Sequence, residues 1–329
     1  MQPKLVDLHG RTIDYLRISI TDLCNFRCIY CRPPEGVPLI AHTDILRYEE
    51  ILRIAKVSKD LGIRKVRITG GEPLVRRGVL DFITRLVSEV NVEDVGLTTN
   101  GSKLSEMASA LYMAGLRRVN ISLDTLRRDC FFAITGVDEL DKVLKAIETS
   151  LEVGFNPIKI NVVLLKGMNE GDIPDFARLT IDKPIDVRFI ERMPFGAEIP
   201  PPNSPDSFSA LQTLTMIKNV FGSLNPVERS KLDGPATMYK INGALGKIGV
   251  IDPVSGHFCG TCNRIRLTAR GALRPCLLSP LEIDIKSFLR TCPNDDEIKT
   301  FIKAAVLAKP GSRFSNTEKM NIGMNSIGG

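Results

Sequence analysis

Three cysteines fall within eight residues, Cys24-Asn25-Phe26-Arg27-Cys28-Ile29-Tyr30-Cys31, spaced C-x3-C-x2-C. No other stretch limits the chain's chemistry so sharply. Loop cysteines this close cannot pair in threes as disulfides, and nothing in the chain points to secretion. A structural zinc site takes four ligands, and no fourth Cys or His lies nearby. Three thiolates suit three corners of a cubane iron–sulfur cluster and leave its fourth iron open to a ligand. On the residues alone, an irregular zinc site and unrelated thiols are the alternatives.

A second trio, Cys259, Cys262 and Cys276, is spaced C-x2-C-x13-C. A zinc ribbon wants a second C-x2-C pair, which is missing. His257 is a candidate fourth zinc ligand, but two residues from Cys259 it makes a poor tetrahedral bite. Three ligands again suit a [4Fe–4S] cluster with one open iron. The arginines beside it, Arg264 and Arg266, favour a substrate over a second cofactor as the open iron's ligand. Cys130 and Cys292 sit on helix-like stretches and read as structural.

Between the trios the chain alternates strand and helix. Residues 16–20, 65–69, 95–98, 118–123, 157–165 and 185–190 read as strands, with amphipathic helices at 48–60, 79–90 and 139–153 among those between them. Six β–α units with short connections and no glycine-rich nucleotide fingerprint predict an α/β fold, an incomplete (β/α)6 TIM-like barrel. One side of these strands is apolar: Leu16, Ile18, Ile20, Val66, Ile68, Val119, Ile121, Ile158, Ile160, Val162, Val187, Phe189. The other carries Arg17, Ser19, Arg67, Thr69, Asn120, Ser122, Lys159, Asn161 and Arg188. Both faces of a parallel sheet are normally covered, so a polar face repeated on five strands predicts a wet, cationic lumen suited to an anion. One solvated face of an open sheet is the other reading. After the proline-rich stretch 200–205 the pattern shifts to short strands at 238–241, 247–251, 265–268 and 272–277, then two helices. The expected division is a barrel over 1–222 and a β-hairpin-rich extension over 223–329, which carries the second trio and covers the barrel opening.

The composition excludes several classes. With 43% hydrophobic and 25% charged residues the chain is an ordinary globular protein. No apolar run reaches membrane-spanning length, and the N-terminus lacks a signal-peptide layout, which predicts a cytoplasmic protein. A net charge of +6, no Trp and only five Tyr give no stacking surface for nucleic acid.

The first cysteine loop, with Tyr30 before its last cysteine, resembles the radical S-adenosylmethionine superfamily. The resemblance narrows to the GTP 3′,8-cyclase family of molybdenum cofactor biosynthesis at several further stretches. These are Asp14-Tyr15-Leu16-Arg17-Ile18-Ser19, Arg67-Ile68-Thr69-Gly70-Gly71-Glu72-Pro73, Thr98-Thr99-Asn100-Gly101, Asn120-Ile121-Ser122-Leu123-Asp124-Thr125, Arg188-Phe189-Ile190-Glu191-Arg192-Met193-Pro194, the second trio and the terminal Gly328-Gly329. Lys309-Pro310-Gly311-Ser312-Arg313 departs from it, since His would be expected at Arg313.

The resemblance implies two [4Fe–4S] clusters, on Cys24, Cys28, Cys31 and on Cys259, Cys262, Cys276. S-adenosylmethionine would contact Tyr30, Gly70, Gly71, Glu72, Pro73, Ser122 and Met193. GTP would contact Arg17, Arg67, Thr98, Lys159, Arg264, Ile265 and Arg266. Arg17, Arg264, Arg266, Gly328 and Gly329 would be needed for turnover. A 5′-deoxyadenosyl radical would take hydrogen from C3′ of GTP, and C3′ would then bond to C8. Implied partners are a reductant and a downstream cyclic pyranopterin monophosphate synthase, with the enzyme a monomer or homodimer. A peptide-modifying radical enzyme is the nearest alternative, though such enzymes usually carry more C-terminal cysteines. A zinc-stabilised RNA-binding protein would need more basic and aromatic surface.

Overall fold

The period-two strands and amphipathic helices assemble, in a computed structural model, around one sheet. The structure describes residues 4–31, 41–193, 208–228, 234–256, 258–291 and 294–312. Six strands follow one another in parallel: β1 (Tyr15–Ser19), β2 (Lys65–Thr69), β3 (Asp94–Thr99), β4 (Arg118–Ser122), β5 (Ile158–Leu164) and β6 (Ile185–Glu191). Their crossovers carry α1 (Tyr48–Asp60), α2 (Val79–Arg85), α3 (Leu104–Met113), α4 (Arg128–Thr135), α5 (Leu140–Val153) and α6 (Ile173–Asp182). The expected helix over 79–90 is α2 followed by a π turn, Leu86–Val90.

All twelve apolar strand residues named above are buried to within 1% of full exclusion. They meet helical stripes such as Ile51, Ile54, Ala55 and Val57 of α1 and Leu140, Val143, Ala146 and Ile147 of α5. Spacings of three and four put those residues on one helix face. Each fully buried Ile or Leu contributes on the order of 1.5–3 kcal/mol, so this layer fixes strand register and the orientation of the opposite face.

The C-terminal part differs from a set of separate hairpins. After α7 (Ala210–Phe221) come β7 (Leu224–Val227), β8 (Thr237–Ile241), β9 (Lys247–Ile251), β10 (Arg264–Leu267), β11 (Ala272–Arg274) and β12 (Ile283–Asp284), then α8 (Ile285–Thr291) and α9 (Asp295–Leu307). β9 pairs in parallel with β6, and β10 in parallel with β1. The parallel array therefore has eight strands, β10-β1-β2-β3-β4-β5-β6-β9, with antiparallel β11–β12 and β8–β7 outside them. The physical reason lies at the edges: β1 and β6 would otherwise expose unpaired backbone, and Ile248, Ile265 and Leu267 extend the same buried layer. α9 packs on α1, where Arg53 meets Asp295 at 2.7 Å.

Candidate active site

The first cysteine loop leaves β1 and is held from three sides. Backbone N–H groups of Arg27 and Ile29 donate to Thr135 and Ile134 at the end of α4, at 2.8 and 3.0 Å. Asn100, in the turn after β3, donates from Nδ2 to Asn25 Oδ1 at 2.9 Å and approaches Cys24 Sγ at 3.9 Å. Gly71 and Glu72 donate their N–H groups to the carbonyls of Thr21 and Leu23, each at 2.7 Å. That last contact requires glycine: a Cβ on Gly71 would lie 2.3 Å from the Leu23 carbonyl oxygen, and one on Gly70 2.5 Å from that of Thr21. The glycine turn and the cysteine loop are thus packed backbone to backbone.

Glu72 secures the turn from beneath. Its fully buried carboxylate accepts from the Asn100 N–H at 2.6 Å, the Thr99 hydroxyl at 2.8 Å and the Leu74 N–H at 3.0 Å. Burial raises its pKa, and these three donors hold the rise to about 7. On the loop's other side the Tyr30 hydroxyl donates to Asp124 Oδ2 at 2.7 Å. Burial, with Asp124 and the neighbouring cysteines, pushes the Cys28 thiol well up.

The polar strand face forms rows across the sheet. Register aligns Arg266, Arg17, Arg67 and Gly96 on β10, β1, β2 and β3. A further row runs through Thr98, Asn120, Lys159 and Asp186, and another through Ser122, Asn161, Arg188 and Gly249. Glycines make room for two of the arginines: a Cβ on Gly96 would sit 2.1 Å from Arg67 Nη1, and one on Gly249 3.0 Å from Arg188 Cγ. Lys65 and Arg118 are paired with Asp94, at 3.1 and 2.5 Å, and Lys159 lies 3.6 Å from Asp186. The Nε atoms of Arg67 and Arg188 are buried with no hydrogen-bond partner among the described residues. Burial, then mutual repulsion, lowers Arg17 to about 10, and burial leads the fall of Arg188 to about 10. The field is positive enough to act on Tyr15. Burial works to raise its phenol, but Arg67, Arg17, Lys65 and Arg264 outweigh it and bring the pKa to about 7. Cations in this state are stabilised by an anion entering the cavity.

The second trio faces the first. Cys259 opens a short turn in which the Cys262 N–H donates to the Cys259 carbonyl at 3.2 Å. Cys276 follows β11, and all six cysteines line one cavity of about 330 Å³. Burial opposes ionisation of Cys262, but Arg264, Lys309 and Arg266 overcome it and lower the thiol to about 7. Among the described residues no three His, Cys, Asp or Glu side chains converge tightly enough to hold one metal ion. Three thiol donors at each trio fit a cluster.

Arg17, Arg67, Thr98, Lys159, Arg264, Arg266, Tyr30, Gly70, Gly71, Ser122 and Met193 all line this cavity with the cysteines. Ile265 does not: alternation along β10 turns its side chain into the apolar core, so only its backbone can meet a substrate. Glu72 and Pro73, which follow the two glycines, are buried. Gly328, Gly329, His257, Cys292 and Arg313 lie outside the described residues. Sequence reasoning missed roles for Tyr15, Lys65, Gly96, Asp124 and Lys309. Tyr15 shares the strand parity of Arg17, and a glycine inside a strand marks close approach, so both carried a signal.

Comparison with known proteins adds independent findings. The family model described as the Radical SAM superfamily matches residues 18–180, and that described as Molybdenum Cofactor Synthesis C matches residues 185–314. A curated relative from Geobacter sulfurreducens named GTP 3′,8-cyclase is 45% identical, covering 99% of this chain and 100% of its own. Another of that name from Alkaliphilus oremlandii is 46% identical over 98% of this chain and 99% of its own. Among solved structures, SuiB of Streptococcus suis bound to S-adenosylmethionine has a TM-score of 0.62 at 16% identity, covering 89% of this chain and 69% of that one. A structure titled native anSMEcpe with bound AdoMet has a TM-score of 0.56 at 16% identity, covering 86% of this chain and 82% of that one. At that identity the two structures speak for the fold alone.

Proposed function

The chain belongs to the GTP 3′,8-cyclase family of radical S-adenosylmethionine enzymes, and we propose that its cavity holds GTP between two [4Fe–4S] clusters, one on each cysteine trio. The enzyme acts in molybdenum cofactor biosynthesis. The observation that carries the binding reading is the row Arg266-Arg17-Arg67, with the orphaned Nε atoms of Arg67 and Arg188 beside it. A triphosphate supplies the missing anion, and guanidinium forks match its oxygens.

Cys24, Cys28 and Cys31 would hold the first cluster, which when reduced would supply, with S-adenosylmethionine, hydrogen-abstracting radical chemistry. The chain's own residues orient and enclose. Gly70, Gly71, Ser122, Met193 and the backbone of Tyr30 hold the cofactor against the Cys24–Cys31 side. Arg17, Arg67, Lys159 and Arg188 take the triphosphate, and Thr98 adds a neutral contact. Arg264, two residues beyond Cys262, would orient the purine toward the Cys259–Cys276 side, while Arg266 stands in the row that meets the triphosphate. Holding both reacting carbons of one nucleotide in place is the protein's main contribution to the ring closure. In this division residues 1–222 carry the cofactor and 223–329 the substrate-facing cluster. A reductant must supply electrons, and the cyclised nucleotide passes to a pyranopterin-forming synthase. Anaerobic incubation with GTP, S-adenosylmethionine and dithionite tests the reading. It predicts 5′-deoxyadenosine together with a 3′,8-cyclised nucleotide; cofactor cleavage without any cyclised product would contradict it.

A further inference from the structure

Lys309 follows α9 and is 3% exposed. Its position is set by the helix end, where its N–H donates to the Val306 carbonyl at 3.0 Å. The ammonium donates to the carbonyl of Arg264 at 2.8 Å and to that of Pro275 at 2.5 Å. Arg264 is two residues beyond Cys262, and Pro275 immediately precedes Cys276. One side chain therefore ties the two arms of the widely spaced C-x13-C pair. Cys262 and Cys276 line the same cavity as this ammonium.

The third arm is fixed by a neighbour. Arg11, oriented by Asp7 at 2.6 Å, donates to the carbonyls of Cys259 at 2.8 Å, Pro310 at 2.7 Å and Gly311 at 3.3 Å. Arg11 thus locks both Cys259 and the backbone that carries Lys309. A buried ammonium needs anions. Burial and Arg11 oppose the charge on Lys309, while the two cysteines Cys262 and Cys276 favour it.

We propose that Lys309 is a positioning and charge-tuning residue of the second trio, stapling its Cys262 and Cys276 arms and offsetting the negative charge of the group they hold. The proposal rests on the reading of this trio as an iron–sulfur site. Charge and hydrogen bonds at cluster sulfurs set reduction potential, and a nearby cation favours the reduced, more negative state.

The test compares wild type with Lys309→Met, Lys309→Gln and Lys309→Arg in anaerobically reconstituted protein. It reads iron content, the electron paramagnetic resonance signals of the two centres and their midpoint potentials. Lys309→Met should keep the first centre and either lose the second or hold it at a lower potential. Lys309→Gln keeps a donor for the two carbonyls and removes only the charge, so it should hold the second centre at a lowered potential; it carries the test if Lys309→Met does not fold. Lys309→Arg should restore the second centre. An unchanged second-centre potential in both neutral variants overturns the proposal, as does a loss of GTP affinity with both centres unaltered, which would make Lys309 a substrate contact. If wild-type protein itself shows no second centre, the iron–sulfur reading of the trio fails, and the Lys309 proposal with it.

Discussion

Arg67 illustrates the scale of one residue. It donates to the Leu97 carbonyl at 3.3 Å, its Nε has no partner among the described residues, and its guanidinium lies where a side chain on Gly96 would be. Charge-assisted bonds to a phosphate are worth about 1.5–3 kcal/mol each, so Arg67→Ala should weaken GTP binding roughly 10- to 100-fold. Binding of S-adenosylmethionine should change little, and the loss should shrink for guanosine, which lacks the phosphates. Equal losses for GTP and guanosine in calorimetric titrations would show that Arg67 supports the fold instead. Glu72 gives a pH prediction. Its folded pKa, about 7, lies above the ordinary 4.5. Between those values the native state keeps a proton that the unfolded chain has released, so stability falls as pH rises through the window and levels off above it. Urea unfolding at about pH 5 and about pH 8 should show this decline, and Glu72→Gln should remove its share. An identical pH slope in the variant would assign the decline to other groups.

At the scale of elements, the glycines carry as much of the site as the charged residues do. Gly71→Ala would drive a Cβ into the carbonyls of both Leu23, at 2.3 Å, and Asp22, at 2.6 Å. Backbone on both sides cannot yield as a side-chain tip can. The variant should therefore lose S-adenosylmethionine cleavage at least tenfold while remaining folded by circular dichroism, and wild-type cleavage rates would refute the close packing of turn and loop. The six central strands and their polar face were legible because period-two alternation is local and strong: Arg17, Arg67, Asn120 and Lys159 could be placed on one face from parity alone. α4 was not legible as a support for the cysteine loop. It is eight residues long, and its role lies in carbonyls of Ile134 and Thr135 that accept from residues a hundred positions away. The strands β9 and β10 were readable, but their parallel pairing to β6 and β1 was not, since local pattern carries no information about distant edges. The Lys309 contacts were hidden for the same reason: they join carbonyls 45 and 34 residues distant.

Across the whole molecule, the sheet order explains how two cysteine groups 228 residues apart, counted from Cys31 to Cys259, come to face one space. β10 lies beside β1 in parallel, so Cys262, just before β10, sits beside the start of the strand that leads to the first cysteine loop. If the second trio serves the substrate, Cys259→Ala should retain the first centre and uncoupled cleavage of S-adenosylmethionine while cyclisation falls at least a hundredfold. Normal cyclisation by that variant would remove the trio from the reaction. The most direct measurement of the arrangement uses electron paramagnetic resonance on two variants, one with Cys24, Cys28 and Cys31 all changed to Ala and one with Cys259, Cys262 and Cys276 all changed to Ala. Each should hold one centre. GTP should alter the signal of the centre on Cys259, Cys262 and Cys276 and leave the other unchanged, and S-adenosylmethionine should do the reverse. A GTP-induced change confined to the centre on Cys24, Cys28 and Cys31 would contradict the account.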